Sequence, residues 1–145
     1  MHGVTEGRPP ALDLAEEKKL LDAVLGAIQK GYVASAHDLS EGGLAAALAE
    51  SCISGKLGAQ VNVQSDLRPD IALFSESQSR ILLTAKPEQA ETLGKWLAEQ
   101  GVASAEIGVV EGTELSIQVN GQPAVQSPVE QLEKVWKDAI PCLMK

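Results

Sequence analysis

The residues best suited to chemistry lie in one run, His37-Asp38-Leu39-Ser40-Glu41-Gly42-Gly43-Leu44, where polar side chains and two glycines separate a short apolar segment from a helical pattern. Ligands of α/β sheets favour such a strand-to-helix edge. Amides of a helix's first turn, with the positive end of its dipole, hold phosphate, and glycine lets the phosphate approach the backbone. Asp38 and Glu41 would repel a bare anion, so a phosphate fits best when a magnesium ion bridges it to a carboxylate, with Asp38 the better candidate. Asp38 as metal ligand, with Ser40, Gly42 and Gly43 against the nucleotide, thus points to magnesium-nucleotide binding. The same letters have an ordinary structural reading. Asp38 and Ser40 are common N-cap residues, Glu41 suits a helix start, and the two glycines permit tight packing. His37 reads as a hydrogen-bonded structural histidine, because no Ser or Cys nucleophile with a plausible partner is evident.

A second polar run, Ser75-Glu76-Ser77-Gln78 followed by Arg80, combines hydroxyl, carboxylate, amide and guanidinium. Glu76, Ser77 and Gln78 could recognise a phosphorylated small molecule through oriented hydrogen bonds, or form a solvated connection between two strands. Neither GxxxxGK[ST] nor GxGxxG occurs, which argues against an autonomous nucleotide-hydrolysing enzyme.

The elements that must position these runs follow from periodicity. Residues 1–12, with Gly3, Gly7, Pro9 and Pro10 and no apolar period, read as a linker or arm from something upstream. From Asp13, a cap with Glu16 three residues on, a helix runs to a stop at Gly31, with Leu14, Leu21, Val24, Leu25 and Ile28 on its expected buried face. A strand is expected over 32–36, a helix over about 41–54, and strands over 60–64, 71–74 and 80–84. Pro87 and Gly101 frame a helix burying Ala90, Leu93 and Leu97. Alternation at 105–109 and 115–119 gives two more strands, the second ending at an Asn120-Gly121 turn. The last helix is expected to take Ser127 as cap, Glu130 at the capping-box position, and Leu132, Val135, Trp136 and Ala139 inward. In order, the centre of the chain is the split βαβ of a ferredoxin-like core with an extra helix at each end. The expected class is α+β, a mixed sheet covered by helices, in a single domain over 13–145.

Composition narrows the partners. With 145 residues, a single core can bury about two thirds of the chain's surface, so no staple is needed. Twelve Lys plus Arg against twenty Asp plus Glu give a net charge of −8, the wrong sign for a nucleic-acid partner. No run approaches the roughly 18 apolar residues of a membrane span, and MHGVTEGRPP lacks a basic region followed by an apolar signal core, so the expected setting is cytoplasmic, with no membrane partner. Cys52 and Cys142 belong to no metal-ligand spacing and read as idle thiols.

Four features together resemble the C-terminal domain of the aminoimidazole ribonucleotide synthetase superfamily, and within it the phosphoribosylformylglycinamidine synthase family. They are AHDLSEGGLAAALAES at 36–51, LFSES at 73–77 with Arg80, the sheet-helix order between them, and WKDAIPCLMK at 136–145. The resemblance is to the second of two tandem ATP-binding units in the short form of that enzyme. It implies a ligase of purine biosynthesis that converts formylglycinamide ribonucleotide, glutamine-derived ammonia and ATP to formylglycinamidine ribonucleotide. Mg2+ and ATP or ADP are the implied cofactors, with Asp38 on the metal and Ser40 touching the nucleotide. In the family's first copy, a Glu-Ser-Gln loop contacts substrate. Glu76, Ser77 and Gln78 match its letters and belong either to a substrate loop or to a pseudo-symmetric nucleotide site. Implied partners are the preceding ATP-binding domains, a separate glutaminase subunit and a small bridging subunit. The family's catalytic histidine lies in a segment this chain lacks, so no catalytic residue is assigned and the chain alone is expected to be inactive. The alternative is a non-catalytic structural or interaction module of a related ATP-binding protein.

Overall fold

A computed structural model describes residues 10–143, so most of the expected arm at 1–12 lies outside the described residues. Helix α1 (Leu14–Gln29) starts where Asp13 accepts hydrogen bonds from the amides of Ala15 and Glu16. It stops at Gly31, whose amide donates to Ile28 while the Tyr32 amide donates to Ala27, a Schellman closure. Strand β1 (Ser35–Asp38) begins three residues later than expected and carries His37 and Asp38 at its end. Helix α2 (Gly43–Gly55), strand β2 (Ala59–Val63) and helix α3 (Pro69–Phe74) follow. Strand β3 (Ile81–Thr84), helix α4 (Pro87–Glu99), strands β4 (Gly108–Val110), β5 (Glu114–Val119) and β6 (Gln122–Pro128), and helix α5 (Val129–Leu143) complete the described chain.

The α+β class and the mixed sheet are as expected. β1 and β3 pair antiparallel as a two-stranded ribbon, with Ser35 opposite Thr84 and Asp38 opposite Ile81; a split βαβ would also set β2 beside β3, but β2 lies in the other sheet, so the expected ferredoxin-like core does not form. The remaining strands form a separate sheet in the order β4-β2-β5-β6. β2 runs parallel to β5, which sets Val61 beside Ile117, and the other pairings are antiparallel. Asn120 and Gly121, at φ 52° and 76°, make the two-residue turn into β6.

Two apolar clusters result. One gathers Leu44, Leu48 and Cys52 of α2 with Val61, Leu73, Leu115, Ile117, Val119 and Val129. The other joins Ala23 and Ala27 of α1 to Leu93 and Leu97 of α4, with Trp96 donating from its indole nitrogen to the Ala23 carbonyl at 2.9 Å. Leu82 packs on the first cluster and Leu83 on the second, so the β1–β3 ribbon lies between them, its period-two alternation feeding both.

Five further expectations are corrected. Residues 71–74 are helical, because Pro69 at the first helical position and Asp70 in the first turn start α3 there. On α1, Ala23, Val24 and Ala27 are buried, whereas Leu14, Leu21, Leu25 and Ile28 are exposed. The small residues let α4 approach closely, and a larger face would hold it off. On α4, Ala90 is exposed. On α5, Val129 is buried and Leu132 half-buried, while Val135, Trp136 and Ala139 are exposed because the helix lies on the rim of α2. Ser127 sits in β6 opposite Leu115, its hydroxyl donating to the Pro128 carbonyl.

Candidate functional site

The two polar runs, 34 residues apart in sequence, meet. Leu39 extends the β1–β3 pairing by donating its amide to the Arg80 carbonyl, and the chain then turns into α2 through Gly42 and Gly43 at φ +80° and +61°. The Gly42 amide donates to Glu76 Oε1 at 3.0 Å, and the Gly43 amide donates to the Ser40 carbonyl at 3.1 Å. Gly43 is buried against the end of α3. A Cβ on it would stand 2.7 Å from the Ser75 carbonyl oxygen and 2.9 Å from that of Leu73. Only glycine combines that backbone angle with that approach.

Around this joint the side chains divide by exposure. Asp38 is open to solvent, with its side chain 76% exposed and one carboxylate oxygen 3.8 Å from His37 Nδ1. Ser40, Glu41, Glu76, Ser77 and Gln78 are also exposed. His37 is fixed: Nδ1 bonds the Asp38 carbonyl at 2.7 Å, and Nε2 lies 3.2 Å from Glu50 Oε2 on α2. It ties strand end to helix, the structural role expected of it. Arg80 turns inward, donating to the carbonyl and hydroxyl of Ser75 at 3.3 Å each, and so stiffens the loop rather than reaching out of it. Glu17 escaped the sequence reading. It accepts a 2.5 Å hydrogen bond from Ser79, which stands at φ +61°, and so braces the loop from α1. Its 62-residue separation from Ser79 leaves no local signal.

The amino end of α2 thus already holds an oxyanion, the Glu76 carboxylate, with an exposed acid and hydroxyl beside it. Among the described residues no three His, Cys, Asp or Glu gather into a metal cage. A magnesium ion requires none where it keeps its waters and takes one or two carboxylates plus phosphate oxygens, which suits the exposed Asp38. A separate cavity of about 750 Å³ opens between α2, the ribbon and β4, lined by Leu48, Cys52, Val61, Leu82, Ile107 and Trp136 among others. It includes none of Asp38, Ser40, Gly42, Gly43 or Glu76. Burial there raises the Cys52 thiol above its ordinary pKa, consistent with an idle thiol. No helix among the described residues is long and apolar enough to cross a membrane.

Fold and site together define an α+β domain that presents an exposed polar wall at a helix start in place of an enclosed active site. The chain belongs to the family described as AIR synthase related protein, C-terminal domain, whose model matches residues 1–120. It is 48% identical over all 145 residues to the phosphoribosylformylglycinamidine synthase subunit PurL of Alkaliphilus metalliredigens. It is 49% identical over 138 residues to the PurL subunit of Thermoanaerobacter pseudethanolicus. The chain spans about a fifth of the length of these curated relatives. Among solved structures, Thermotoga maritima PurL complexed with FGAR superposes with a TM-score of 0.81 at 26% identity, covering 90% of this chain and 23% of that one. The same protein complexed with ATP gives 0.73 at 27% identity, covering 80% and 21%.

Proposed function

We propose that this chain is the C-terminal domain of a glutamine-dependent phosphoribosylformylglycinamidine synthase, and that it supplies one wall of a magnesium-nucleotide site. The observation that carries this reading is local: the amide of Gly42, the N-cap of α2, binds a carboxylate, and the exposed Asp38 stands at the adjoining strand end. In this reading Asp38 holds magnesium, Ser40 offers a hydroxyl to phosphate, and Gly42 and Gly43 shape the turn that brings the backbone close. Magnesium, when bound, neutralises charge developing on the phosphates. Glu76, Ser77 and Gln78 form the loop that closes over the turn, facing either substrate or a second nucleotide.

The complexes of T. maritima PurL with ATP and ADP support nucleotide as the ligand class. The full reaction, formylglycinamide ribonucleotide plus ammonia and ATP giving formylglycinamidine ribonucleotide, needs the upstream ATP-binding domains, the glutaminase subunit and the bridging subunit, and takes place in the cytoplasm. The 145-residue chain alone has no synthase activity.

The amides of Gly42 and Gly43 both have partners inside the chain, so in this reading phosphate is held through magnesium and the Ser40 hydroxyl, while the glycines let the backbone come close. Calorimetric titration of magnesium-ADP into the full-length protein and its Asp38→Asn variant tests the site, with about a tenfold loss of affinity expected, ~1.4 kcal/mol. Unchanged affinity removes Asp38 from it. If binding falls and turnover falls with assembly intact, the nucleotide is catalytic; if assembly fails as well, it is structural.

A further inference from the structure

Helix α1 is apolar on two sides. Ala23, Val24 and Ala27 are buried, whereas Leu14, Leu21, Leu25 and Ile28 are 74, 51, 54 and 46% exposed. At 100° per residue these four fall within about 60° of arc, roughly opposite the buried alanines. A helix on the surface of a finished protein carries one apolar stripe and a polar face; this one carries a second stripe in water. Leu14, Leu21 and Ile28 recur every seven residues, a spacing suited to packing along another helix.

The borders of the stripe are already partnered. Lys18 and Asp22 pair at 2.6 Å on one side, and Glu17 is held by Ser79 on the other, so covering the stripe strands no lone charge from these residues. The occupant follows from length and order. This chain matches a C-terminal domain family and spans about a fifth of its curated relatives, which places most of such a protein upstream, and the polypeptide enters the domain through α1.

We propose that the Leu14–Leu21–Leu25–Ile28 stripe is the seat of the preceding ATP-binding domain of the same polypeptide, an inference that rests on the functional reading above. Contact there fixes the wall carrying Asp38 and Ser40 against the other half of the site, because Glu17 on the same helix braces the 75–79 loop.

Cysteine accessibility tests it. Maleimide labelling of Leu21→Cys and Leu25→Cys, above the wild-type background, slows by about tenfold or more in the full-length protein relative to the 145-residue chain. Lys95→Cys, at an exposed position on α4, labels at the same rate in both. Equal rates at positions 21 and 25 in the two proteins overturn the proposal. So does slowing that appears in the 145-residue chain alone as its concentration rises, which seats a second copy on the stripe. Failure of the functional reading looks different: the full-length protein does not bind magnesium-ATP while the labelling difference persists, which leaves the interface standing.

Discussion

At Gly43 two constraints coincide, a φ of +61° and carbonyl oxygens of Leu73 and Ser75 within 2.9 Å of any Cβ placed there. A left-handed backbone costs a non-glycine residue about 1–2 kcal/mol, and forcing main chain apart adds about 1–3. Gly43→Ala should therefore destabilise the domain by about 2–4 kcal/mol, read in urea as a midpoint about 1–2 M lower with an unchanged slope. A midpoint within error of wild type would mean that α2 and the 73–76 segment are not locked together. That 37–44 forms a strand-to-helix turn was legible, because acid, hydroxyl and paired glycines suit such an edge whether they cap a helix or meet a ligand. That Glu76 closes onto Gly42 was not, since a hydrogen bond across 34 residues leaves no periodic trace. Packing against α3, the bland reading of the glycine pair, describes Gly43, while the Gly42 amide is taken by the Glu76 carboxylate of the same chain.

At the scale of elements, helix boundaries were the most legible feature. Asp13, Gly31, Pro87 and Gly101 act through local backbone chemistry, and each starts or stops a helix where its type suggests. The faces of α1 and α5 misled because periodicity reports an apolar stripe without saying what covers it. On α1 the large residues mark a surface and the small ones the core. Residues 71–74 show the complementary ambiguity, since four apolar residues fit a buried strand or one helical turn, and only Pro69 decides. One strongly shifted carboxyl joins two elements. Glu133 of α5 accepts hydrogen bonds from Lys137 and from Lys56, the C-cap of α2, and these pull its pKa from 4.5 down to about 2. A carboxylate depressed by folding contributes stability that is present above pH 4.5 and lost as pH falls through about 2. Thermal melts of wild type and Glu133→Gln should differ modestly at neutral pH, since both lysine partners are exposed and the pairs are screened by salt. That gap should close as the pH is lowered towards 2. A gap that stays constant across the acid range would assign the difference to packing.

For the whole molecule, the ribbon of β1 and β3 divides an interior of unequal halves. Beneath it, α2, the four-stranded sheet, Leu73 and Val129 form a broad aliphatic core in which Ile117 is fully buried. Above it, the α1–α4 layer rests on a smaller buried set, two alanines and two leucines, with half-buried Trp96, Tyr32 and Leu83 among the residues packed against them. Burial scales with apolar area, at about 25 cal/mol per Å², so the upper layer has far less holding it down. Native-state hydrogen exchange should show α1 and α4 opening at a free energy below that of β5, whose amides exchange only on global unfolding. Trp96→Ala should widen the difference. It removes the indole bond to the Ala23 carbonyl and the ring packed at Gly26, costing about 3–5 kcal/mol if the layer and core were one cooperative unit. In a two-layer molecule that loss is confined to α1 and α4, and protection of β5 is unchanged. Equal loss of protection in α1, α4 and β5 would show a single unit. The braces from α1 to the 75–79 loop would then hold as long as the core itself, with no need of anything packed on the outer stripe to keep them in place.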